Sequence, residues 1–485
     1  MRQFCWDLRL LVRNRAFLIL MFIYTTATCL AIFAGHQRHE KHISQNAIVE
    51  ARYQDELQKW RGSDGQLDPG YVGYYQFVPT AATPSPWAAL FSGEQAEHNW
   101  HLRVRLLAFY GQAYAGEIQH YDHWILGHFD LGFVWIYLLP IVIGLLSVNI
   151  IADEKNSGRW SLLRAQTTSP GHFLVNRLRV IFAVLLLLNT AMLLVATAAL
   201  RIPVDAAWGL LLSLLVIYQL FWFSIAAFIA RGEQNATFNV LAYCCIWLAA
   251  ALALPGVHYL SRMNSVEMDL GIAILMEQRE QMNDSWDRDK NADFARFLEL
   301  NPQWRNTGSL PEAFHWKWYY AMQSMSDAAV QEYVEQLKTL RLDAYRSANA
   351  WAWLSPAMSL QQSLTAIAGT GGLAHQDYLD QVKTLHQHLQ SFFYPHYFFD
   401  EPFPAARLAD LPVFEFQESQ FKAREGLLQL GFINLIVLCL FALATRIATA
   451  RCRRESRMLA RSEFASVPLE RASPPRRTAT AKAVE

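Results

Sequence analysis

Residues 131–170 read LGFVWIYLLPIVIGLLSVNIIADEKNSGRWSLLRAQTTSP. The first 22 of them, residues 131–152, contain no Asp, Glu, Lys or Arg. A helix rising about 1.5 Å per residue needs about 20 residues to cross the hydrocarbon of a bilayer. Charge returns at once with Asp153, Glu154 and Lys155. An apolar run of this length with so sharp an edge predicts a membrane helix that leaves the bilayer into a polar loop.

Five more runs free of those four residue types lie at 16–35, 180–200, 206–230, 235–260 and 426–445. Over 485 residues, 53% are hydrophobic and 17% charged, and 42 Lys+Arg cancel 42 Asp+Glu. That balance excludes a nucleic-acid binder held by bulk positive charge, and the hydrophobicity excludes a disordered chain. Charge-free stretches at 69–93 and 347–376 are rejected as spans, because Pro, Gly, Ser and Gln interrupt them and leave backbone groups that lipid cannot satisfy. Arg9, Arg13 and Arg15 precede the first run, which is too long for a secretory signal and lacks an Ala-x-Ala end, so it reads as an uncleaved anchor. The expected fold is an all-α integral membrane protein with six transmembrane helices and two mainly helical extracytoplasmic domains.

Orientation follows from Lys and Arg, which resist translocation. Residues 1–15 carry four arginines, 153–179 carry five Lys/Arg, and the tail 446–485 carries ten. Six alternating crossings put all three on the cytoplasmic side, and both termini with them. Their net charges are +3, +3 and +6, against −4 for residues 36–130 and −8 for 261–425. These two long segments are then external and contain no cysteine, so no disulfide is available to them. The longer one can bury a core of its own, while the shorter needs its neighbour.

Residues 43–61 have mixed charges at helical spacing and continue the first membrane helix outward until Gly62, Gly65, Gly70 and Gly73 interrupt it. A Pro-rich turn, TPSPW, follows at 83–87. Val330, Tyr333, Val334, Leu337 and Leu340 repeat as an amphipathic helix, with Ser326 and Asp327 placed to start it. The tail is basic, then rich in Ser, Pro, Thr and Ala, which predicts a juxtamembrane anchor followed by disorder. Phe4, Leu8, Leu11 and Val12 make residues 1–15 an interfacial elbow helix or a plain topogenic flank.

Catalytic signatures are missing. The chain has no Gly-Lys dipeptide, hence no P-loop, and no His-Glu-x-x-His, Gly-x-Ser-x-Gly or paired Cys-x-x-Cys. It is expected not to be an enzyme, and any nucleotide hydrolysis would belong to another subunit. His36, His39 and His42, and His120 with His123, have spacings that could bind copper or zinc, but polar juxtamembrane residues need no ligand and no metal site is assigned. SFFYPHYFFD at 391–400 is core, a lateral opening or a headgroup contact. Pro140 is placed to kink the second span, while Asn149, Asn189, Gln219 and Asn239 are placed to bond between helices or to touch a substrate.

Residues 129–170 resemble the permease subunits of ABC-2 type transporters, in which a membrane helix exits into a cytoplasmic loop reading roughly Glu-Arg-Glu-x-Gly-Thr-Leu and a short helix ends near Ser-Pro. Glu154, Gly158, Leu162, Leu163, Ser169 and Pro170 fit, while Asn156 replaces the second carboxylate and Arg159 and Trp160 replace Thr and Leu. YYQFVPTAATPSPWAALFSG from Tyr74, FDLGF from Phe129 and WLSPAMSLQQSLTAIAGTG from Trp353 are similar to a subgroup with enlarged external segments. The resemblance implies a partner ABC ATPase carrying ATP and magnesium, no cofactor in this chain, and a second permease half, identical or not. It also implies a bacterial cytoplasmic membrane, contact with lipid and no nucleic acid. Within the loop, Leu162 and Leu163 offer an apolar contact and Arg159 and Arg164 pairing with acidic groups on the ATPase; an ordinary interfacial loop is the bland alternative. Two rival readings stand beside an exporter: a mechanical relay acting on a periplasmic partner, and a non-transporting scaffold or sensor.

Overall fold

The computed structural model describes residues 2–63, 65–82, 85–95, 98–114, 129–166, 170–232, 234–262, 267–311, 314–417 and 425–439. The chain divides into residues 1–434, treated below, and residues 435–485, of which 435–439 are described as the end of a helix. The basic tail and residues 440–445 of the sixth apolar run lie outside the described residues.

Among the described residues five helices are long and apolar enough to cross a membrane, which makes this a multi-pass membrane protein. After a short helix α1 (Arg2–Val12), α2 runs unbroken from Arg15 to Arg61. Its first half is apolar, and it ends where Gly62 donates its amide to the carbonyl of Gln58. Two short helices, α3 (Pro69–Tyr75) and α4 (Phe109–Tyr114), flank a two-stranded antiparallel ladder, β1 (Val78–Pro79) with β2 (Arg103–Val104), in which Val78 pairs Val104. With two residues in each strand, this ladder leaves the segment mainly helical, as expected. Then come α5 (Leu131–Asn156), the seven-residue α6 (Trp160–Gln166), α7 (Pro170–Ala199), α8 (Ala206–Arg231) and α9 (Ala236–Arg262). The second long segment is helical: α10 (Glu267–Asp287), α11 (Lys290–Leu300), α12 (Trp316–Ala352), α13 (Pro356–Ala368) and α14 (Gly372–Phe398). Helix α15 (Glu425–Cys439) opens the sixth apolar run; its described part is shorter than a span.

The two long inter-span segments do not fold as two separate bodies. One apolar cluster takes Tyr53, Leu57, Val72, Phe77 and Val104 from the first and Phe297, Tyr320, Val330, Tyr378 and Phe398 from the second. The shorter segment is expected to need its neighbour; the longer, expected to bury a core of its own, instead shares one cluster with it. SFFYPHYFFD supplies Phe393, Tyr394, Tyr397 and Phe398 to that core. The amphipathic helix over Val330 and Leu337 starts at Trp316, ten residues before Ser326. His315 caps it by accepting from Lys317 N at 3.1 Å. Asp327 lies inside the helix and reaches across the domain: its carboxylate accepts the amides of Phe109 and Tyr110 and the side chain of Gln278, at 2.8, 3.1 and 2.7 Å.

Within the membrane bundle two of the four polar side chains singled out in the sequence, Asn189 and Asn239, join helices. Asn189 Oδ1 accepts from Tyr24 OH at 2.7 Å and from Trp135 Nε1 at 2.9 Å, tying α2 and α5 to α7. Asn239 donates to the carbonyl of Val148. Gln219 is buried with both amide atoms unpartnered, and Asn149 leaves its carbonyl oxygen unpartnered. Pro140 sits just beyond a wide π-type turn at Val134–Leu138, which absorbs the lost N–H without breaking α5. Pro255, which carried no assignment in the sequence, follows the same kind of turn at Ala249–Ala253 in α9.

Candidate functional site

The loop predicted from sequence is a compact turn. Helix α5 ends with Gly158 in the left-handed region at φ +72°, its amide donating to Lys155 O, so the glycine is required for the chain to turn back. Helix α6 then starts at Trp160, which is 7% exposed and meets Phe173 of α7 edge-on at 6.5 Å. A buried anchor on one side leaves Leu162 on the other, 60% exposed. Leu163 is half-buried, with its amide donating to Arg159 O. Pro170 is the first residue of α7. The side chain of Arg164 and all of Ser169 lie outside the described residues.

Charge closes the loop onto its neighbours. Glu154 Oε2 accepts from Arg159 Nε at 2.7 Å, and Glu154 Oε1 is 3.9 Å from Arg177 of α7. Arg177 also stands 3.3 Å from Asp7 of α1 and lies over the Phe173 ring at 5.4 Å. Glu154, predicted as a loop residue, is thus the centre of a chain Arg159–Glu154–Arg177–Asp7 that pins α1 to the loop. Asp7 and Arg177 carried no such role in the sequence reading, because they lie about 150 residues or more from their partners or on another helix. Arg159 is 64% exposed against 12% for Glu154, so solvent screens the arginine end of the pair and leaves the guanidinium accessible to another carboxylate.

At the other end of the spans the three stretches quoted from Tyr74, Phe129 and Trp353 come together. Asp130 caps α5 by accepting Phe133 N at 2.8 Å, and its second oxygen accepts the amide and hydroxyl of Ser92 at 2.8 and 2.7 Å. Thr370 Oγ1 donates to Phe91 O, and Thr370 O accepts from Glu94 N. Gly35 of α2 meets the Pro86–Ala89 turn so closely that a Cβ there would lie 1.7 Å from Ala89 O. Helix α13 packs against this turn, α8 and the π-type turns of α5 and α9. Ser355, the cap of α13, donates to Ala250 O at 2.8 Å, and Ser359 donates to Gln429 Oε1 at 3.0 Å. The inter-span domain is therefore bonded directly to α5, α9 and α15.

His36, His39 and His42 share a face of α2, and His42 Nε2 lies 2.8 Å from His101 Nε2. Among the described residues no group of three or more His, Cys, Asp or Glu could hold a metal ion. His120 and His123 lie outside the described residues.

Residues 273–417, most of the second inter-span segment, match a family described as a domain of unknown function (DUF3526). No curated protein and no solved structure matches the chain. The resemblance to a known sequence family thus falls on the domain beside the bundle, over helices α10 to α14.

Proposed function

We propose that this chain is the membrane subunit of an ABC-2 type ATP-driven exporter, coupling a separate ATPase to substrate movement. The observation that carries this reading is α6: a short helix between two spans, anchored by Trp160 and presenting Leu162 outward. A partner that pushes such a helix moves α5 and α7 with it, since packed helices shift as rigid units. The Arg159–Glu154–Arg177–Asp7 chain would carry the same displacement to α1. A second permease half would cover α9 and α2, of whose apolar stretches only 11% and 22% are buried. The basic loop and termini favour a bacterial cytoplasmic membrane with that loop facing the cytoplasm.

The relay reading has one observation in its favour: the bonds from Ser355 and Ser359 into α9 and α15 would transmit span motion to the inter-span domain. Purification in mild detergent from the native host, with identification of attached subunits, tests the common core of both. A copurifying P-loop ATPase that is lost in Leu162→Glu supports it; an active protein with no such companion rejects it. Reconstituted vesicles then separate export from relay.

A further inference from the structure

The inter-span domain carries a continuous aromatic face at the end of α2. Tyr71 and Tyr75 have ring centroids 4.6 Å apart, Tyr75 and Tyr74 4.9 Å, and Tyr74 and Trp316 6.1 Å. Phe314 lies 5.2 Å from Trp316, and Tyr319 links both of these rings to Trp286 at 6.4 Å. Four of these side chains are about half exposed: Tyr71 48%, Tyr75 45%, Phe314 50% and Trp286 49%. Aromatic side chains bury about 150–250 Å² each, so the open area is roughly 400 Å². That equals the largest apolar patch on a typical monomer and about half of one side of a standard protein interface.

Lipid cannot account for it. Trp60, 6.0 Å from Tyr71, lies 25 residues beyond Gly35, where the first apolar run ends, which is about 38 Å along the axis of α2. Headgroup belts of Trp and Tyr do not reach that far. Electrostatics select among the remaining occupants. Residues 36–130 and 261–425 together hold 33 Asp+Glu against 21 Lys+Arg. Asp68 accepts Trp316 Nε1 at 3.1 Å, and Asp284 and Asp287 are exposed on the same turn of α10 as Trp286. Lys290 is a cation already seated at this edge, 4.7 Å over Trp318 and 5.9 Å over Trp286. Two copies meeting through this face would oppose like charge.

We propose that this face docks an arginine-rich segment of a protein on the same side of the membrane, its guanidinium groups stacking on Tyr71, Tyr75 and Trp286 with Asp68, Asp284 and Asp287 as counter-charges. An ammonium also sits over aromatic rings, as Lys290 does, but guanidinium is planar and more weakly hydrated, so it adds face-to-face stacking and should bind more tightly. The inference stands apart from the ATPase reading, and its test needs no nucleotide.

The full chain in nanodiscs is titrated with short fluorescent alternating Gly-Arg, Gly-Lys and Gly-Glu peptides. The Gly-Arg peptide is expected to bind most tightly, and Tyr71→Ala/Tyr75→Ala to weaken it roughly tenfold with the melting temperature kept. Trp286→Ala, at the far edge, gives an independent reading should the double variant misfold. Equal binding of Gly-Arg and Gly-Lys, or binding indifferent to both variants, overturns the proposal. So does an N-acetylglucosamine oligosaccharide that displaces the peptide, or a dimer that Tyr71→Ala/Tyr75→Ala dissolves.

Discussion

His386 is buried on α14 with Nε2 2.7 Å from the carbonyl of Leu107, which fixes Nε2 as the donor. Burial lowers its pKa to about 4, opposed by that hydrogen bond and assisted by nearby Lys383. An unfolded imidazole titrates near 6.5, so below that pH the unfolded chain gains a proton that the folded one refuses. The contribution of His386 is therefore complete above about pH 6.5 and lost as pH falls toward 4. Asp327 runs the other way. Burial raises it to about 7, so its contribution is largest in acid and lost as pH rises from about 4 to 7, even though the donors from Phe109, Tyr110 and Gln278 all favour its charged form. The two trends overlap in wild type, and comparison with His386→Gln isolates one. The melting-temperature gap between wild type and His386→Gln should shrink steadily from pH 6.5 to 4; a gap independent of pH would show that this imidazole does not carry the acid sensitivity.

Helices α5 and α9 repair their prolines alike. In each, a π-type turn ends two residues before the proline, at Pro140 and Pro255. A proline cannot donate to the carbonyl one turn back, and lipid offers no substitute. The freed carbonyls find hydroxyls on other elements: Ile136 O accepts from Tyr218 of α8 at 2.7 Å, and Ala250 O accepts from Ser355 of α13 at 2.8 Å. Removing either hydroxyl with shape nearly kept, Tyr218→Phe or Ser355→Ala, should cost about 0.6–2 kcal/mol, as interhelical bonds in membranes do. Thermal unfolding in detergent measures both. If Ser355→Ala melts with wild type, the bond between α13 and α9 contributes nothing and the relay reading loses its link. Pro140 was readable in the sequence as a kink, because proline chemistry is local. The donors were not, since Tyr218 lies 82 residues from the carbonyl it satisfies and Ser355 lies 105 from its own. The start of α12 was hidden for a related reason: Ser326 and Asp327 have the chemistry of a cap, and only the long-range packing of α4 turns Asp327 into a partner for another helix's amides.

For the whole molecule, five of the six apolar runs and the extension of α2 beyond the first of them were legible because span length and charge exclusion are properties of contiguous residues. The shorter segment's need of its neighbour was legible from its size, but the residues that meet were not, since packing Tyr53 and Phe77 into one cluster with Tyr378 needs contacts across hundreds of residues. One global property follows from α5 alone. It begins at Asp130, bonded to Ser92 of the inter-span domain, and ends at Asn156 beside α6, 26 residues or about 39 Å away. The domain and the loop therefore sit at opposite ends of a bilayer-length helix, and the orientation we propose from the five Lys/Arg of residues 153–179 puts the loop on the cytoplasmic side. In a cysteine-free background, Leu162→Cys and Leu300→Cys place thiols at two exposed positions, one at each end. On intact cells an impermeant maleimide should label Leu300→Cys alone, with Leu162→Cys reacting only after permeabilisation. The reverse pattern would invert the orientation and remove the ATPase from reach of α6, while labelling of both in intact cells would mean that α5 does not separate two compartments.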